Sequence, residues 1–439
     1  MLKLVQSWFA KSAHPIGIDL GTDALRMAQV TLQNNEFHLA AAASADVPSH
    51  LRSNAPARLQ WFSETVRELL SQGGFKGRQA VLSLPSSMLI IQHLRMPKLD
   101  EETLRKTLPF EARGKLPVDP AHCLLRHVVA GDIFSEQEPK TEVILMAAAK
   151  EFVNQFLDAA ARARLDVVGV NVEPRAVVDC FANVFRRRSD REVVNFFVDI
   201  GASATRAFIV QGEEILFARS IPIGGDHFTR AVAGSLSIPF EQAKLLRVQA
   251  AAQPPSAGLD EKRDVSSADT SSPATTAESG FAVLGAAIRS ARVTSPAAPP
   301  ACTSSLGKLE QACLEPLGKL IDELNLCRRY HESTFPNRPV GRLLFIGGEA
   351  RQRWLCQHVA RQMHLAAQVG DPLVRMGRTT EVGVESGIDR RHPQPGWAVS
   401  VGLSMGQDRV RASGSPPTHA VAREATTGDR LGATERGAA

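Results

Sequence analysis

The feature that most constrains this chain is a strand-and-turn segment that occurs twice. The first copy, residues 16–23, reads Ile-Gly-Ile-Asp-Leu-Gly-Thr-Asp, and the second, residues 197–203, reads Phe-Val-Asp-Ile-Gly-Ala-Ser. In each copy an apolar strand delivers an aspartate, and the glycine that follows lets backbone N–H groups turn inward beside a hydroxyl residue. Such a turn presents donors to phosphate oxygens next to a carboxylate. Because each copy opens one half of the chain, the repeat predicts two similar lobes that close on one nucleotide.

The composition is that of a globular protein with more than one domain. The chain has 439 residues, of which 44% are hydrophobic and 22% are charged, and this length favours two or three domains. The net charge is +5, but 51 basic and 46 acidic residues are interspersed, and the basic clusters lack aromatic neighbours, so we expect no nucleic-acid partner. The six cysteines form no C-x-x-C pair, which predicts free thiols in a reducing compartment. We find no apolar run long enough to span a membrane and no secretory signal.

The two halves share one order of elements. In the first half, strands are predicted up to residue 45, then a helix over 57–70 and a strand over 80–84. In the second half, three strands lie between 193 and 221, and a helix follows at 228–236. This recurrence of a three-stranded meander and a helix indicates an internal duplication.

An additional unit interrupts the first half, and two segments are low in complexity. Residues 89–165 carry strand and helix patterns of their own, which predicts an embedded α+β module. Residues 250–305 and 407–439 are rich in small and polar residues, and we predict that both are disordered. The predicted division is an amphipathic segment (1–15), the first lobe (16–88), the inserted module (89–165), a return to the first lobe (166–192), the second lobe (193–249), the insertion (250–305), the second lobe again (306–384), a second return (385–406) and the tail (407–439).

The first turn supplies four candidate ligands of a nucleotide. The amides around Gly21 and Thr22 and the Thr22 hydroxyl are suited to phosphate oxygens, and Asp19 is suited to a hydrated Mg²⁺ ion. Arg26 adds a cation or a salt bridge. Taken alone, the segment is equally well explained as a hairpin turn, and the second copy is what favours a nucleotide site.

The second turn and two diglycines complete the candidate site. Asp199 can share the metal or position a water. The remaining candidates face phosphate from the opposite wall or allow close approach of the backbone to the nucleotide; they are Gly201, Ala202, Ser203, Thr205, Gly224, Gly225, Gly347 and Gly348. A plain glycine turn is the alternative interpretation of each diglycine.

The order of these motifs resembles the five-part pattern of the actin-like ATPase superfamily. The matching segments are phosphate 1 at 19–22, connect 1 at 171–178, phosphate 2 at 199–205, adenosine at 345–350 and connect 2 at 399–404. Within the superfamily the chain looks most like the FtsA-like branch and its PilM family of type IV pilus assembly proteins. The specific carriers of that resemblance are residues 16–21, 110–112, 116–117, 169–173, 223–226 and 345–348.

The resemblance implies an α/β fold with two lobes of duplicated βββαβα type and an FtsA-like inserted α+β subdomain. It implies ATP and Mg²⁺ between the lobes, with the metal held by Asp19 and Asp199, and at most slow ATP hydrolysis. It also implies a cytoplasmic scaffold at the inner membrane that takes up the cytoplasmic N-terminal peptide of a PilN-like single-span protein, in a groove near residues 89–97 and 110–117. Self-association is a further partner prediction.

Three positions depart from the family pattern. Asp23 adds a carboxylate beside the first turn, where it would repel a triphosphate unless it faces away. Glu349 stands where the family usually has a small residue, so it either accepts from a ribose hydroxyl or hinders entry. Asn171 replaces a residue that is often acidic, which leaves Glu173, with Asp199, as the catalytic candidate that orients water. A structural role for Glu173 stays open. The alternative functions are a small-molecule kinase of the superfamily and an FtsA-like filament protein.

Overall fold

The computed structural model describes residues 13–134, 139–252, 305–377, 382 and 386–406. The predicted amphipathic segment up to residue 12, the insertion from 253 to 304 and the tail from 407 lie outside the described residues. In chain order the elements are β1 (Ile16–Leu20), β2 (Ala24–Gln33), β3 (Glu36–Asp46), α1 (Ala55–Gln72), β4 (Gln79–Leu84), β5 (Ile90–Pro97), α2 (Glu101–Glu111), β6 (Cys123–Phe134), β7 (Pro139–Ala149), α3 (Lys150–Arg162), β8 (Asp166–Val172), α4 (Glu173–Val184), α5 (Arg188–Glu192), β9 (Val194–Ile200), β10 (Thr205–Gln211), β11 (Glu214–Ile221), α6 (Gly225–Leu236), α7 (Phe240–Ala252), α8 (Ser305–Thr334), β12 (Arg342–Ile346), α9 (Arg353–Met363), β13 (Ala366–Val369) and α10 (Ala398–Met405).

Two five-stranded sheets with the same topology form the two lobes. The first has the order β3-β2-β1-β4-β8 and the second the order β11-β10-β9-β12-β13. In both sheets the first three strands form an antiparallel meander. The last two strands run parallel to the strand that begins the lobe, β1 in the first sheet and β9 in the second. The duplication predicted from the sequence is therefore confirmed, and the fold is the two-lobed actin-like α/β fold.

The strands that begin each lobe are buried along their whole length. All five residues of β1 and all seven of β9 are buried, because helices cover both faces of the sheets and a parallel region flanked in this way is uniformly apolar. Aromatic packing anchors the second lobe, where the rings of Phe197 on β9 and Phe208 on β10 stack with centroids 5.1 Å apart. Each aspartate of the repeated motif thus sits near the end of a rigid, buried strand.

Helix α10 returns the chain to the first lobe through contacts between backbones. The whole helix is buried, and it packs on β1 and α4. A Cβ atom added at Gly402 would lie 1.8 Å from the Ala176 carbonyl oxygen on α4, so only glycine allows this approach. The Ser404 hydroxyl donates to the Pro15 carbonyl at 2.7 Å. Together these contacts fix α10 against the strand that begins the first lobe and against α4.

The inserted module is a three-stranded sheet, in the order β5-β7-β6, with α2 packed on it. Helix α2 begins after Asp100, whose carboxylate accepts hydrogen bonds from the Glu102 and Thr103 N–H groups, as an N-cap residue should. Helix α3 belongs elsewhere, although the sequence places residues 151–165 in the module. Phe156 of α3 is fully buried in the core of the first lobe and contacts Phe62 of α1 with centroids 5.2 Å apart.

A buried polar cluster joins the module to the second lobe. The Glu142 carboxylate on β7 is fully buried and accepts a 2.5 Å hydrogen bond from the Tyr330 hydroxyl on α8. His93 on β5 lies 2.9 Å from the same carboxylate through Nδ1, while its Nε2–H donates to the Ala218 carbonyl on β11 at 3.0 Å. Burial and Glu142 raise the pKa of Tyr330 well above its ordinary value. The cluster holds the module in a fixed place beside the second lobe.

Among the described residues, no helix combines the length and the apolar character that crossing a membrane requires. The five cysteines of the described region are free and buried, in agreement with the structural role expected for most of them.

Candidate functional site

The two repeated turns meet face to face between the lobes. In each, the glycine N–H donates to a carbonyl three residues further on, Gly21 to Ala24 and Gly201 to Ala204, both at 3.0 Å. The hydroxyls of Thr22 and Ser203 share a hydrogen bond of 2.8 Å. The predicted phosphate residues of both lobes are thus brought together, as the repeat in the sequence requires.

The first diglycine is used to assemble the second turn. The N–H groups of Gly225 and Asp226, at the start of α6, donate to the carbonyls of Gly201 and Ala202 at 2.9 and 2.8 Å. The Thr205 hydroxyl donates to the Ile223 carbonyl at 2.7 Å. These two N–H groups stabilise the loop conformation, so in this arrangement they do not face a ligand.

The second diglycine lies directly over the end of β9. Gly347 has a φ of +86°, and a Cβ atom at that position would lie 2.4 Å from the Asp199 carboxylate oxygen. The left-handed backbone and the close approach both require glycine. A Cβ atom at Gly348 would meet nothing within 4 Å. The predicted adenosine motif therefore adjoins the predicted phosphate 2 motif, and its outer glycine borders open space.

Glu349 lies in the site but is already paired. Its carboxylate lies 2.5 Å from the Arg247 guanidinium of α7, and it packs so closely on Gly225 that an added Cβ there would be 2.2 Å from its oxygen. Arg247 also donates to the Gly225 carbonyl and the Thr229 hydroxyl, both at 2.9 Å. Both roles open to Glu349, accepting from a ribose hydroxyl and hindering entry, stay predictions, and its carboxylate is held by Arg247.

Each aspartate of the repeat stands opposite an arginine on the neighbouring strand. Asp19 on β1 pairs in register with Arg26 on β2, and Asp199 on β9 pairs with Arg206 on β10. The Arg206 guanidinium lies 2.8 Å from the Asp199 carboxylate and 3.1 Å from the Glu173 carboxylate. The predicted metal ligands and the predicted catalytic residue therefore form one buried charge cluster.

Burial controls the protonation of this cluster. Desolvation raises the pKa of Glu173 to about 8, although Arg206 favours its charged form. Desolvation likewise raises the pKa of Asp19 to about 6, against the opposing effect of Arg26 and then Arg206. Burial disfavours the charged form of Arg206, but the Asp199, Glu173 and Asp19 carboxylates outweigh this effect and raise the pKa of Arg206 above its ordinary value. Near neutral pH, Glu173 is therefore largely protonated.

The Asp23 carboxylate beside the first turn is paired with two cations. Its carboxylate forms an ion pair with Arg52 of the first lobe and lies 2.8 Å from the Lys244 ammonium of α7. Arg52 also lies 3.5 Å from the Asp226 carboxylate at the start of α6. The negative charge that Asp23 adds beside the first turn is thus neutralised by cations. The resulting ion pairs connect the two lobes.

A comparison with protein families identifies the family of this chain. Residues 17–254, more than half of the chain, match the model described as type IV pilus assembly protein PilM. The chain belongs to the PilM family. Residues 196–402 also match the model of the cell division protein FtsA, in agreement with the FtsA-like branch inferred from the motifs. No match is found among proteins of curated function.

Solved structures similar to this PilM-family chain include a PilM–PilN type IV pilus biogenesis complex. The sequence identity is 20%, the TM-score is 0.65, and the alignment covers 90% of this chain and 98% of the other. The ethanolamine utilization protein EutJ from Carboxydothermus hydrogenoformans, 13% identical over 90% and 89% of the two chains, has a TM-score of 0.45. MreB5 of Spiroplasma citri, in a structure with bound ADP, is 10% identical over 91% and 97%, with a TM-score of 0.44. The first likeness supports the fold, and the other two are too distant to carry an argument.

Sequence reasoning missed the basic residues of the site in this PilM-family chain, which are Arg52, Arg206, Lys244 and Arg247. One signal was present. Arg206 is a single charge among the otherwise mainly apolar residues of β10, and a lone buried charge in a strand requires a partner. Arg247 and Lys244 lie on α7, a helix of low amphipathicity whose apolar residues show no clear helical period. Nothing in the spacing of these two residues pointed to the cleft.

Proposed function

We propose that this PilM-family chain is a nucleotide-binding scaffold of a type IV pilus assembly machine. In this proposal it docks the short cytoplasmic N-terminal peptide of a PilN-like inner-membrane protein and is thereby held at the cytoplasmic face of that membrane. The observation that carries the nucleotide part is the meeting of the two repeated turns, with Thr22 and Ser203 in hydrogen-bond contact. Family membership and the likeness to a PilM–PilN complex support the partner.

The proposed phosphate site uses the same groups that now contact one another. The Thr22 and Ser203 hydroxyls would exchange their mutual hydrogen bond for bonds to a phosphate oxygen between them. The remaining proposed contacts are the turn residues Gly21, Gly201 and Ala202, with Thr205 fixing the second turn through Ile223. The nucleoside end is assigned to the Gly347–Gly348 side of the cleft, where Glu349 and Arg247 form its charged wall.

Proteins with the actin-like fold generally bind their nucleotide together with a divalent metal ion. Asp19 and Asp199 were predicted to hold Mg²⁺ here. Their surroundings do not fit that ion, because the Arg206 guanidinium already lies 2.8 Å from the Asp199 carboxylate, and a guanidinium and a metal ion cannot occupy one place. No residues among those that the structure describes form a cluster of three or more metal-ligating side chains. We therefore assign ATP, without a metal-dependent step, to the site.

Weak or absent ATP turnover follows from the same contacts. A residue that orients or deprotonates water needs a free lone pair within hydrogen-bond reach of the water. The carboxylates of Glu173 and Asp199 are both engaged by Arg206, so the catalytic roles predicted for them stay predictions. A scaffold requires only that the nucleotide favour one arrangement of the lobes.

The partner site is proposed on the inserted module. The Phe110 side chain at the end of α2 is 66% exposed, which is unusual for a large aromatic residue and typical of an interface anchor. Arg113 lies over its ring at 5.4 Å, and the half-exposed side chain of Val118 follows in the chain. Phe110 and Arg113 lie within the 110–117 neighbourhood predicted from the sequence, and Val118 borders it.

Calorimetric titration tests both parts of the proposal. ATP is titrated into the full chain in the presence of Mg²⁺ and, separately, of excess EDTA, and the N-terminal peptide of the PilN-like protein encoded beside it is then titrated with and without ATP. Saturable binding of ATP in either buffer and of the peptide supports the scaffold. Absence of ATP binding in both buffers contradicts the nucleotide part, and absence of peptide binding contradicts the partner part.

A further inference from the structure

We propose that Arg206 is the resident cation of the site between the lobes and takes the place of a divalent metal ion. ATP then binds to this chain without Mg²⁺, a consequence that rests on the proposed function. The carboxylates involved are those of Asp19, Glu173 and Asp199, which are buried and lie on three different elements, β1, α4 and β9.

The position of Arg206 is fixed from several sides. It stands opposite Asp199 in the β9–β10 register, so the backbone places its side chain at the end of the phosphate 2 strand. One guanidinium nitrogen lies 2.8 Å from Asp199, and the other lies 3.1 Å from Glu173 and 3.4 Å from the Ser86 hydroxyl. A side chain held by two carboxylates on different elements is restricted to one rotamer.

The guanidinium also lies against the phosphate turn itself. A Cβ atom added at Gly201 would be 3.1 and 3.5 Å from the two terminal nitrogens of Arg206. The positive charge therefore lies directly beside the turn whose backbone is proposed to face phosphate. In nucleotide sites a cation at this place neutralises phosphate charge and draws the surrounding carboxylates together, and Arg206 is placed to do both.

The charges balance without a further cation. The Arg206 side chain is 16% exposed, and those of Glu173 and Asp199 are 4% and 2% exposed, so an unpaired charge here would be costly. The negative charge of Asp19 is offset electrostatically by Arg26, and that of Asp199 is offset by its ion pair with Arg206. A proton offsets the third carboxylate, since burial raises the pKa of Glu173. A divalent ion would add two charges to a cluster that is already neutral.

The equivalent arginine of the first lobe has a different environment. Arg26 stands opposite Asp19 in the same way, but its guanidinium lies 3.5 Å from where a Cβ of Gly396 would be, beside the segment that leads into α10. Within the part of the chain that the structure describes, Arg26 does not bridge two carboxylates. The duplication therefore supplies two arginines, of which Arg206 bridges two carboxylates at the phosphate turn.

The first test uses the wild-type chain alone. We expect the ATP dissociation constants in Mg²⁺ and in excess EDTA to agree within about twofold, a difference of roughly 0.4 kcal/mol. A dissociation constant at least about tenfold weaker in EDTA would overturn the proposal. The variant Arg206→Gln removes the cation and keeps a shorter, polar side chain. We expect it to bind ATP at least about tenfold more weakly in EDTA, with Mg²⁺ restoring part of the loss.

A second readout separates this proposal from the binding of nucleotide. Mn²⁺ is titrated into the nucleotide-free chain, and free Mn²⁺ is followed by electron paramagnetic resonance. We expect Arg206→Gln to bind Mn²⁺ at least about tenfold more tightly than wild type, because the Asp199 and Glu173 carboxylates lose the guanidinium that pairs with both. If wild type binds Mn²⁺ as tightly as Arg206→Gln does, and Asp199→Asn abolishes that binding, the proposal is overturned even if ATP does not bind at all.

The matched control is Arg219→Gln on the adjacent strand β11. Arg219 forms an ion pair of 2.8 Å with Glu323 on α8, and among the described residues it forms no ion pair with Asp19, Glu173 or Asp199. The Arg219→Gln variant should bind ATP and Mn²⁺ as tightly as wild type does. If both arginine variants change Mn²⁺ binding equally, the effect is a general one of charge, and the specific role of Arg206 is contradicted.

Discussion

The hydroxyls of Thr22 and Ser203 lie 2.8 Å apart although 181 positions separate them in the chain. Each belongs to a turn that leaves a buried strand after an aspartate, and the pair marks the point where the two lobes touch. We expect a nucleotide phosphate to separate them and to accept from both. The pair is thus the smallest element of the site that depends on both lobes.

The first prediction concerns this pair. Thr22→Val keeps the shape of the side chain but removes the donor, so we expect ATP affinity to fall about five- to tenfold, since one net hydrogen bond is worth roughly 1 kcal/mol. Calorimetric titration measures the change. Thr107→Val on α2, whose hydroxyl donates to the Thr103 carbonyl of its own helix, is the control and should leave the affinity unchanged. An unaltered affinity in Thr22→Val would contradict the phosphate assignment.

The second prediction concerns the exposed aromatic residue of the inserted module. Phe110→Ala should weaken binding of the PilN-like peptide at least about tenfold, because a large apolar anchor supplies about 2 kcal/mol or more at an interface. The free energy of unfolding should change by less than about 0.5 kcal/mol, since the side chain is mostly exposed. Fluorescence anisotropy of a labelled peptide and urea denaturation give the two quantities. Leu326→Ala, which removes a 45% exposed apolar side chain from α8, should affect neither.

The third prediction is a pH dependence of stability that originates at Glu173. The pKa is about 8 in the folded chain and near 4.5 when unfolded, so between these values the folded state keeps a proton that the unfolded state has released. The free energy of unfolding therefore falls as pH rises through this window. Glu173→Gln imitates the protonated form and should flatten that part of the profile. Urea denaturation from pH 5 to pH 9 measures it, and parallel profiles for the two proteins would show that Glu173 does not titrate as described.

The fourth prediction compares a buried ion pair with an exposed one. Glu349→Ala leaves the Arg247 guanidinium, whose side chain is only 5% exposed, without its carboxylate. We expect a loss of about 3 kcal/mol in the free energy of unfolding, because an uncompensated buried charge is costly. Glu315→Ala breaks the exposed pair of Glu315 with Lys319 on α8 and should have no measurable effect. Equal effects in thermal denaturation would mean that Arg247 finds another partner or reaches water.

A fifth prediction follows from the backbone at Gly347. Gly347→Ala forces a Cβ atom into a left-handed position 2.4 Å from the Asp199 carboxylate oxygen. We expect a loss of at least about 2 kcal/mol in stability together with weaker ATP binding. Gly348→Ala, next to it and in open space, is the matched control. If both variants behave alike, the constraint at Gly347 is absent in solution.

The sequence alone predicted the duplication and most of the strands and helices, and it singled out the two turns that the structure brings together. This was possible because the repeated Asp-x-Gly turn and the alternation of apolar strands with amphipathic helices are local patterns, and each half of the chain repeats them. Three elements were not predicted, namely the helices α4 and α7 and the short strand β13. The uniform burial of α4 and the low amphipathicity of α7 conceal the helical period of their apolar residues. Helix α3 was assigned to the inserted module, but its apolar face is complementary to α1 of the first lobe.

The tertiary structure decided the charges of the site. Asp19, Glu173 and Asp199 read in the sequence as open carboxylates for a metal ion and a water molecule, because a sequence gives residue types but not what stands opposite them. Only the register of β9 with β10 and the approach of α4 bring Arg206 between Asp199 and Glu173. Electrostatic pairing depends on distances of a few ångströms between elements far apart in the chain, and burial then sets which of those groups keep their charge.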